Sequence, residues 1–433
     1  MIIDDRIPVY QKNGKVVFAQ CKDPNELWVP FIEKAYAKLH GCYKALIGGY
    51  SHYALGDMTG YSPRLIGLRE GYMGFSDKLS KDDVWSLLME HKEWKCLMGC
   101  SIQSKPGEGP KVEAKAADGL IMGHAYSLLD LGVMTLPDGK TTVQLVKCRN
   151  PWGKGEWMGK WGDRSDIYQE HKDLIKKTFT HTDAAGNQVD HEDIKDDAND
   201  GTFFMEFEDW FNNYTNVFIA VNFPAHWKGQ RVSGNWSGDE GGNRDMVTWV
   251  SNPKIRLTFK PTDDPMEQRA IKDRRVELFV GLYINDSRLL MGVDYFKHPL
   301  YATALAFDIV EEVDLEAALM SLKKSNLRQT VPNCADDHNH QPPYMFGTTQ
   351  KQVDLNLGNS NYYYIVPSLY KRNQPGEYYI TVFSNVTFEL ETNCKIKAER
   401  YVCTYMILSC IHIYVCECIC MYVCMYVCMS LIF

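Results

Sequence analysis

The chain has 433 residues, 45% of them hydrophobic and 24% charged, with a formal net charge of -8 at pH 7 and a pI near 5.9. That length exceeds one ordinary core and predicts two compact domains. The acidic balance, with no basic run interleaved with aromatics, excludes nucleic acid as a partner, and charges in MIIDDRIPVYQKNGK stand where a signal peptide needs its apolar segment, so the reading is cytoplasmic.

In chain order, apolar residues at helical spacing predict an amphipathic helix from Trp28 to Leu46, ended by Gly48-Gly49, and a second from Lys81 to Leu97 after a Gly-rich connector. From Cys100 the period changes. CSIQS, HAYSLLDLGVM, TTVQLVKCRN and GTFFMEF are short apolar or alternating runs bounded by Gly, Asp and Pro, which predict an antiparallel sheet packed on helices. The run Phe218 to Val221, closed by Asn222, ends that region, and GQRVSGNWSGDEGGN reads as a connector. Beyond it PKIRLTFKP, RRVELFVGLYI, NYYYIVPSLY and GEYYITVFS predict an all-β sandwich in which no helix competes. The acidic clusters Asp239-Glu240, Asp263-Asp264 and Asp308 with Glu311, Glu312 and Asp314 read as polar rim, the alternative being a regulatory loop against basic surface.

The tail from about Lys395 is different in kind. YVCM repeats in it as a four-base unit read in frame would produce, so it reads as translated repeat rather than a folded domain. Met406 to Phe433 is also apolar enough, with Glu417 its lone charge, to span or anchor in a bilayer, and a lipidated, thiol-rich tail is the third alternative. Half of the 14 cysteines crowd into this tail; the rest (Cys21, Cys42, Cys96, Cys100, Cys148, Cys334, Cys394) lack paired spacing and read as reduced thiols. Cys96 and Cys100 are a weak metal candidate.

The chemistry concentrates in GLIMGHAYSLLD and, downstream, LVKCRNPWGKGEW. A thiol of ordinary pKa is mostly protonated at neutral pH, so a thiol nucleophile needs an imidazole to take its proton. His124 fits that base. Asn150 fits the residue that accepts the other ring N–H and orients the ring without adding a full charge, and Trp152 shields that bond from water. Taken singly, a histidine in an apolar strand is usually a satisfied core residue, and NPWG a turn with an aromatic plug. Gly123 before the base and an asparagine closing the next strand favour the joint reading.

With those motifs the chain resembles the calpain family of papain-like, calcium-dependent cysteine endopeptidases. DDRIPVYQKNGKVVFAQ, ELWVPFIEKAYAKLHGCYKALIGG, GHAYSLLD, CRNPWGKGEWMGKWGD, DGTFFMEFEDW and GEYYITVFS stand in the family's order. The resemblance implies an α+β papain-like half, followed by an all-β C2-like sandwich. Residues 1–50 would be the remnant of the first protease subdomain, 51–222 the second subdomain with the His/Asn half of the site, 223–394 the sandwich and 395–433 the repeat tail. It implies calcium as regulator and protein substrates. Carried over position by position, the calcium ligands would be Glu26 in the first subdomain and Glu156, Asp163, Asp200 and the Ala198 carbonyl in the second, oxygen donors that suit the ion. Thr202 stands where the family often has a further Glu, which weakens that site. Without the resemblance these carboxylates read as solvated loop charges.

The family's nucleophile sits in an Asp-Cys-Trp segment that this sequence does not contain, and neither Cys42 nor Cys148 reads as a replacement. The family pattern places that segment, with the oxyanion-hole glutamine, upstream of Met1. A truncated gene product and a genuine non-proteolytic scaffold are the two readings, the first preferred. Loss of a nucleophile costs on the order of a million-fold in turnover, so the chain by itself is expected to be inactive. An apolar face of the first helix is expected to be left exposed.

Overall fold

A computed structural model describes residues 2–21, 23, 25–46, 51–69, 79–103, 114–182, 188–189, 200–238, 242, 249, 251–273, 275–284, 304–311, 345–346, 348–355, 362–392 and 399–401. They fall into two compact units, one within Met1–Asn222 and one within Phe223–Tyr405.

The first unit begins with α1 (Trp28–Leu39), a 3-10 turn (Tyr43–Leu46), α2 (Ser51–Thr59), β1 (Ser62–Gly67), α3 (Lys81–Glu93) and β2 (Leu97–Ile102). The two-residue strands β3 (Ala114–Lys115) and β4 (Ile121–Met122) lead into the long β5 (His124–Thr135) and β6 (Thr142–Arg149). Then come α4 (Asp166–Thr178), the short pair β7 (His181–Thr182) and β8 (Gln188–Val189), β9 (Thr202–Glu206), α5 (Phe207–Asn213) and β10 (Asn216–Val221). Six of the strands form one antiparallel sheet in the order β1-β10-β2-β5-β6-β9. The predicted runs HAYSLLDLGVM, TTVQLVKCRN and GTFFMEF are its neighbouring strands β5, β6 and β9.

Both predicted helices run past the observed ends, for a backbone reason. Gly41 at φ 97° takes the left-handed conformation that terminates α1, and Lys95 at φ 56° does the same after α3, so Leu97 already belongs to β2. The apolar face of α1 is not bare among the described residues. Tyr36 and Ala37 share a core with Leu46, Leu55, Ala125 and Phe218, and Val29 packs with Ala19 and Cys21. The segment that precedes the helix folds back over it, with Ala19 N–H donating to the buried Glu33 carboxylate at 3.0 Å. A second cluster, Met134, Leu145, Trp161, Ile175, Phe179 and Phe204, joins α4 to β5, β6 and β9.

The second unit contains β11 (Lys228–Ser237), β12 (Ile255–Phe259), α6 (Pro265–Lys272), β13 (Val276–Ile284), β14 (Ala304–Glu311) and β15 (Met345–Phe346). It continues with β16 (Thr348–Leu355), β17 (Tyr362–Leu369), β18 (Pro375–Ser384), β19 (Phe388–Thr392) and β20 (Glu399–Tyr401). Two five-stranded antiparallel sheets, β16-β13-β18-β11-β20 and β15-β14-β17-β12-β19, share a single core that includes Val232, Leu257, Leu278, Val280, Phe307, Ile365 and Ile380.

Three features here depart from the sequence reading. The segment taken for a connector opens with β11, because Val232, Gly234 and Trp236 alternate inward against exposed Ser233, Asn235 and Ser237. A helix, α6, interrupts the strands; Asp264 caps it by accepting Met266 N–H at 2.8 Å and Pro265 opens it. Asp308 is no rim residue: it is buried and accepts Trp249 Nε1–H at 2.9 Å. Asp239, Glu240, Glu312 and Asp314 lie outside the described residues, as does the repeat tail after Tyr401. Among the described residues no helix is long and apolar enough to cross a membrane.

Candidate active site

The carboxyl end of β6 and the amino end of β5 meet because β5 and β6 are antiparallel neighbours, with Ser127 opposite Arg149. His124 is the first residue of β5, and Asn150 follows the last residue of β6. Their side chains converge across a buried gap, His124 Nε2 lying 2.9 Å from Asn150 Oδ1, with the residues 1% and 0% exposed.

The surrounding bonds settle which way the amide points. Asn150 Oδ1 also accepts Trp152 N–H at 3.1 Å, while Nδ2 donates to the Gly155 carbonyl at 3.1 Å. Flipping the amide would set N–H against N–H and oxygen against oxygen. The oxygen therefore faces the ring, so Nε2 must carry the proton it shares. In the neutral imidazole that leaves Nδ1 as the basic nitrogen.

Glycines shape the backbone on both sides. Gly123 (φ 69°) donates to the Ile102 carbonyl at 2.7 Å and turns the chain into His124. The carbonyl of Gly201 (φ 88°) accepts Asn150 N–H at 2.7 Å, and a Cβ on this glycine would sit 2.8 Å from the main-chain carbonyl oxygen of Asn150. Two rings lie against the imidazole. Trp152 has its centroid 4.6 Å away at 57°, and Tyr126 meets the ring edge-on at 4.9 Å and 85°. Trp152 thus contacts the imidazole itself as well as flanking the bond it was expected to cover. Tyr126 escaped the sequence reading, although its place in HAYS, two residues along the same strand face as His124, is a usable signal.

The five cysteines among the described residues are all free: Cys21, Cys42, Cys96, Cys100 and Cys148. Burial raises the Cys96 thiol to about 12 and also raises that of Cys21, the opposite of what a nucleophile needs. Cys148 and Cys100 are fully buried in the sheet, and Cys42 is exposed beyond α1.

Of the carboxylates named as calcium ligands, three influence one another. Asp163 is pushed up to about 7, first by burial, then by Glu156 and Asp200, with Lys172 and Lys147 opposing. Glu156 is raised by burial while Gly201 N–H, donating to its Oε1 at 2.9 Å, holds it down. Asp200 Oδ1 accepts Thr202 N–H at 2.7 Å. This donor set of oxygens and negative charge suits a hard cation, although no three such side chains among the described residues are gathered closely enough to hold one as they stand. Thr202, at the Glu-to-Thr departure, is buried. Glu26 accepts Trp28 Nε1–H at 3.2 Å on an exposed turn. Ala198 lies outside the described residues.

Comparison with known proteins bears on the family of the chain. The family described as calpain family cysteine protease matches residues 1–221. Calpain-B of Drosophila melanogaster is 28% identical over 91% of this chain and 40% of its own length. Calpain-9 of Homo sapiens is 30% identical over 64% of this chain and 38% of its own. The calpain-type cysteine protease DEK1 of Arabidopsis thaliana is 34% identical over 61% of this chain and 11% of its own. The chain thus spans less than half the length of each of these relatives.

Proposed function

Because the chain belongs to the calpain family of cysteine proteases, we propose that it supplies the general-base half of a calcium-regulated endopeptidase acting on proteins in the cytoplasm. The observation that carries this reading is the buried 2.9 Å bond between His124 Nε2 and Asn150 Oδ1. With Nε2–H committed to Asn150, Nδ1 of His124 takes the proton of a thiol. The thiolate attacks the scissile carbonyl, His124 returns the proton to the departing amine and a thioester remains. His124 then takes a proton from water as it attacks the thioester, and the thiol leaves with that proton. Asn150 keeps the ring from turning between these transfers, and Trp152 limits water around the bond.

None of the 14 cysteines stands in an Asp-Cys-Trp segment, and burial raises the thiols of Cys96 and Cys21. The chain by itself is accordingly read as inactive, the thiol coming from an Asp-Cys-Trp segment of the protease that these residues do not provide. Residues 51–222 are assigned as the second protease subdomain and 1–50 as part of the first. Residues 223–394 are assigned as a C2-like sandwich, a reading supported by two five-stranded sheets on one core. Free cysteines support a reducing compartment.

The test is complementation. The purified chain with calcium should leave casein intact, and the same chain joined to a calpain segment carrying Asp-Cys-Trp should cleave it in a thiol-blocker-sensitive way. H124A should lower the joined protein's turnover by on the order of a thousand-fold or more. Cleavage by the unjoined chain overturns the inactivity, and a folded joined protein with no activity favours the scaffold reading. For calcium, Glu156, Asp163 and Asp200 would hold the ion, which would neutralise their mutual repulsion. Calcium should then raise the melting temperature of the chain, and D163N should abolish most of that rise; no shift in the parent chain removes calcium from the account.

A further inference from the structure

We propose that Tyr126 is a positioning residue for the His124 imidazole, fixing both the backbone that delivers the ring and the ring's plane. The inference rests on His124 and Asn150 acting as the base and its orienter. Tyr126 is fully buried, and its hydroxyl accepts Ile121 N–H at 2.8 Å, looping back along the chain to the residue three before His124. Gly123, between them, donates to the Ile102 carbonyl at 2.7 Å in a left-handed conformation at φ 69°. The approach to His124 is therefore tied at two points, one to the neighbouring strand and one to Tyr126.

The ring of the same tyrosine meets the imidazole edge-on with centroids 4.9 Å apart, and that edge-to-face geometry is favourable for aromatic pairs. Tyr126 is itself held. Phe203 on β9 and Tyr214 after α5 each contact it edge-to-face, at 5.9 Å and 5.5 Å. A base that must exchange protons at Nδ1 while keeping Nε2 on Asn150 needs its χ2 torsion restrained, and the Nε2–Oδ1 hydrogen bond by itself defines a line and not the plane of the ring. Tyr126 and Trp152 oppose it by contact with the ring. A core tyrosine whose hydroxyl merely filled space would have no effect on the solvent exchange of its neighbour's Nε2 proton, and this separates the two roles experimentally.

The experiment uses the full chain labelled with 15N-histidine, whose 12 histidines are resolved by comparison with H124Q. The His124 ring should appear as the Nε2–H tautomer, with cross-relaxation between its ring protons and those of Tyr126. N150A should destroy that tautomer preference. Y126F, which keeps the ring and removes the acceptor of Ile121 N–H, should speed solvent exchange of the Nε2 proton by about tenfold, the change expected from weakening one buried hydrogen bond, in a chain that still folds and melts at a somewhat lower temperature. If N150A moves the His124 signals while Y126F leaves signals and exchange unchanged, the role of Tyr126 is overturned and the His124–Asn150 reading stands. If neither variant moves them, both fall. Should Y126F not fold, the parent chain decides alone: absence of the Tyr126–His124 cross-relaxation overturns the proposal.

Discussion

At the scale of residues, the site depends on contacts that residue type does not announce. The sequence names His124 and Asn150 because imidazole and carboxamide have side-chain signatures. It gives no hint that Asn150 N–H donates to the Gly201 carbonyl, since a backbone partner far along the chain leaves no trace in composition. Gly201 is then the position where the smallest change does most. It needs φ 88°, and a methyl there would press on the main-chain carbonyl oxygen of Asn150 at 2.8 Å and the main-chain nitrogen of Lys154 at 2.9 Å. G201A should cost about 1–3 kcal/mol in urea unfolding and displace Asn150 from His124; a variant as stable as the parent would show the strain to be relieved elsewhere. A second residue sets pH dependence. His91 is pulled down to about 3, chiefly by burial and then by the Arg64 guanidinium, whose Nη1 lies 3.3 Å from its Nε2. The unfolded histidine binds a proton below about 6.5 and the folded one does not until near 3, so the contribution of His91 to stability falls as pH drops through that window, opposite in sign to that of Asp163, whose raised carboxyl favours the folded state on acidification. Between pH 6.5 and pH 5 this amounts to about 2 kcal/mol. H91Q should lose correspondingly less stability than the parent on acidification, and equal losses would place the titration elsewhere.

At the scale of elements, α3 shows what periodicity can and cannot give. Its start is legible, since Ser80 and Asp83 form a reciprocal capping box, with Ser80 Oγ accepting Asp83 N–H at 3.1 Å and Asp83 Oδ2 accepting Ser80 N–H at 3.0 Å. Its end is not, because Lys95 adopts a left-handed conformation that propensity does not forecast for lysine. The cap of α6, Asp264 followed by Pro265, was equally readable in PTDDPMEQRAIK, but eight residues amid strand patterns are too few for a helical period to stand out. The last turn of α3 is fastened to β5 by Lys92, whose Nζ lies 2.7 Å from the buried Asp130 carboxylate beside the bulge between Leu128 and Asp130. The two ends of α3 therefore predict different costs. S80A removes an exposed cap and should cost about 1 kcal/mol. K92M strips an ion-pair partner from a buried carboxylate and should cost about 3 kcal/mol. Urea midpoints compared at constant m-value rank them, and the reverse order would mean that the remaining partners of Asp130 satisfy its charge.

At the scale of the whole molecule, the strands of the second unit are readable from alternation, and their partners are not. β11 pairs along its full length with β18, far away in sequence, and β12 stands between β17 and β19. Such pairings follow from which inner faces can close a common core, a property of all the strands together. Because that core, built on Leu278, Val280, Leu282 and Ile380, is separate from the cluster of Tyr36, Leu55, Ala125 and Phe218 in the first unit, the two units should unfold as distinct cooperative transitions. Leu278 is fully buried, so L278A removes three carbons from a closed core and should cost about 2–5 kcal/mol. That loss should lower one calorimetric transition alone, while K92M should lower the other. A single transition moved equally by both variants would show that the units fold as one, and the acid loss assigned to His91 would then spread over the whole chain instead of staying with the unit that carries the candidate site.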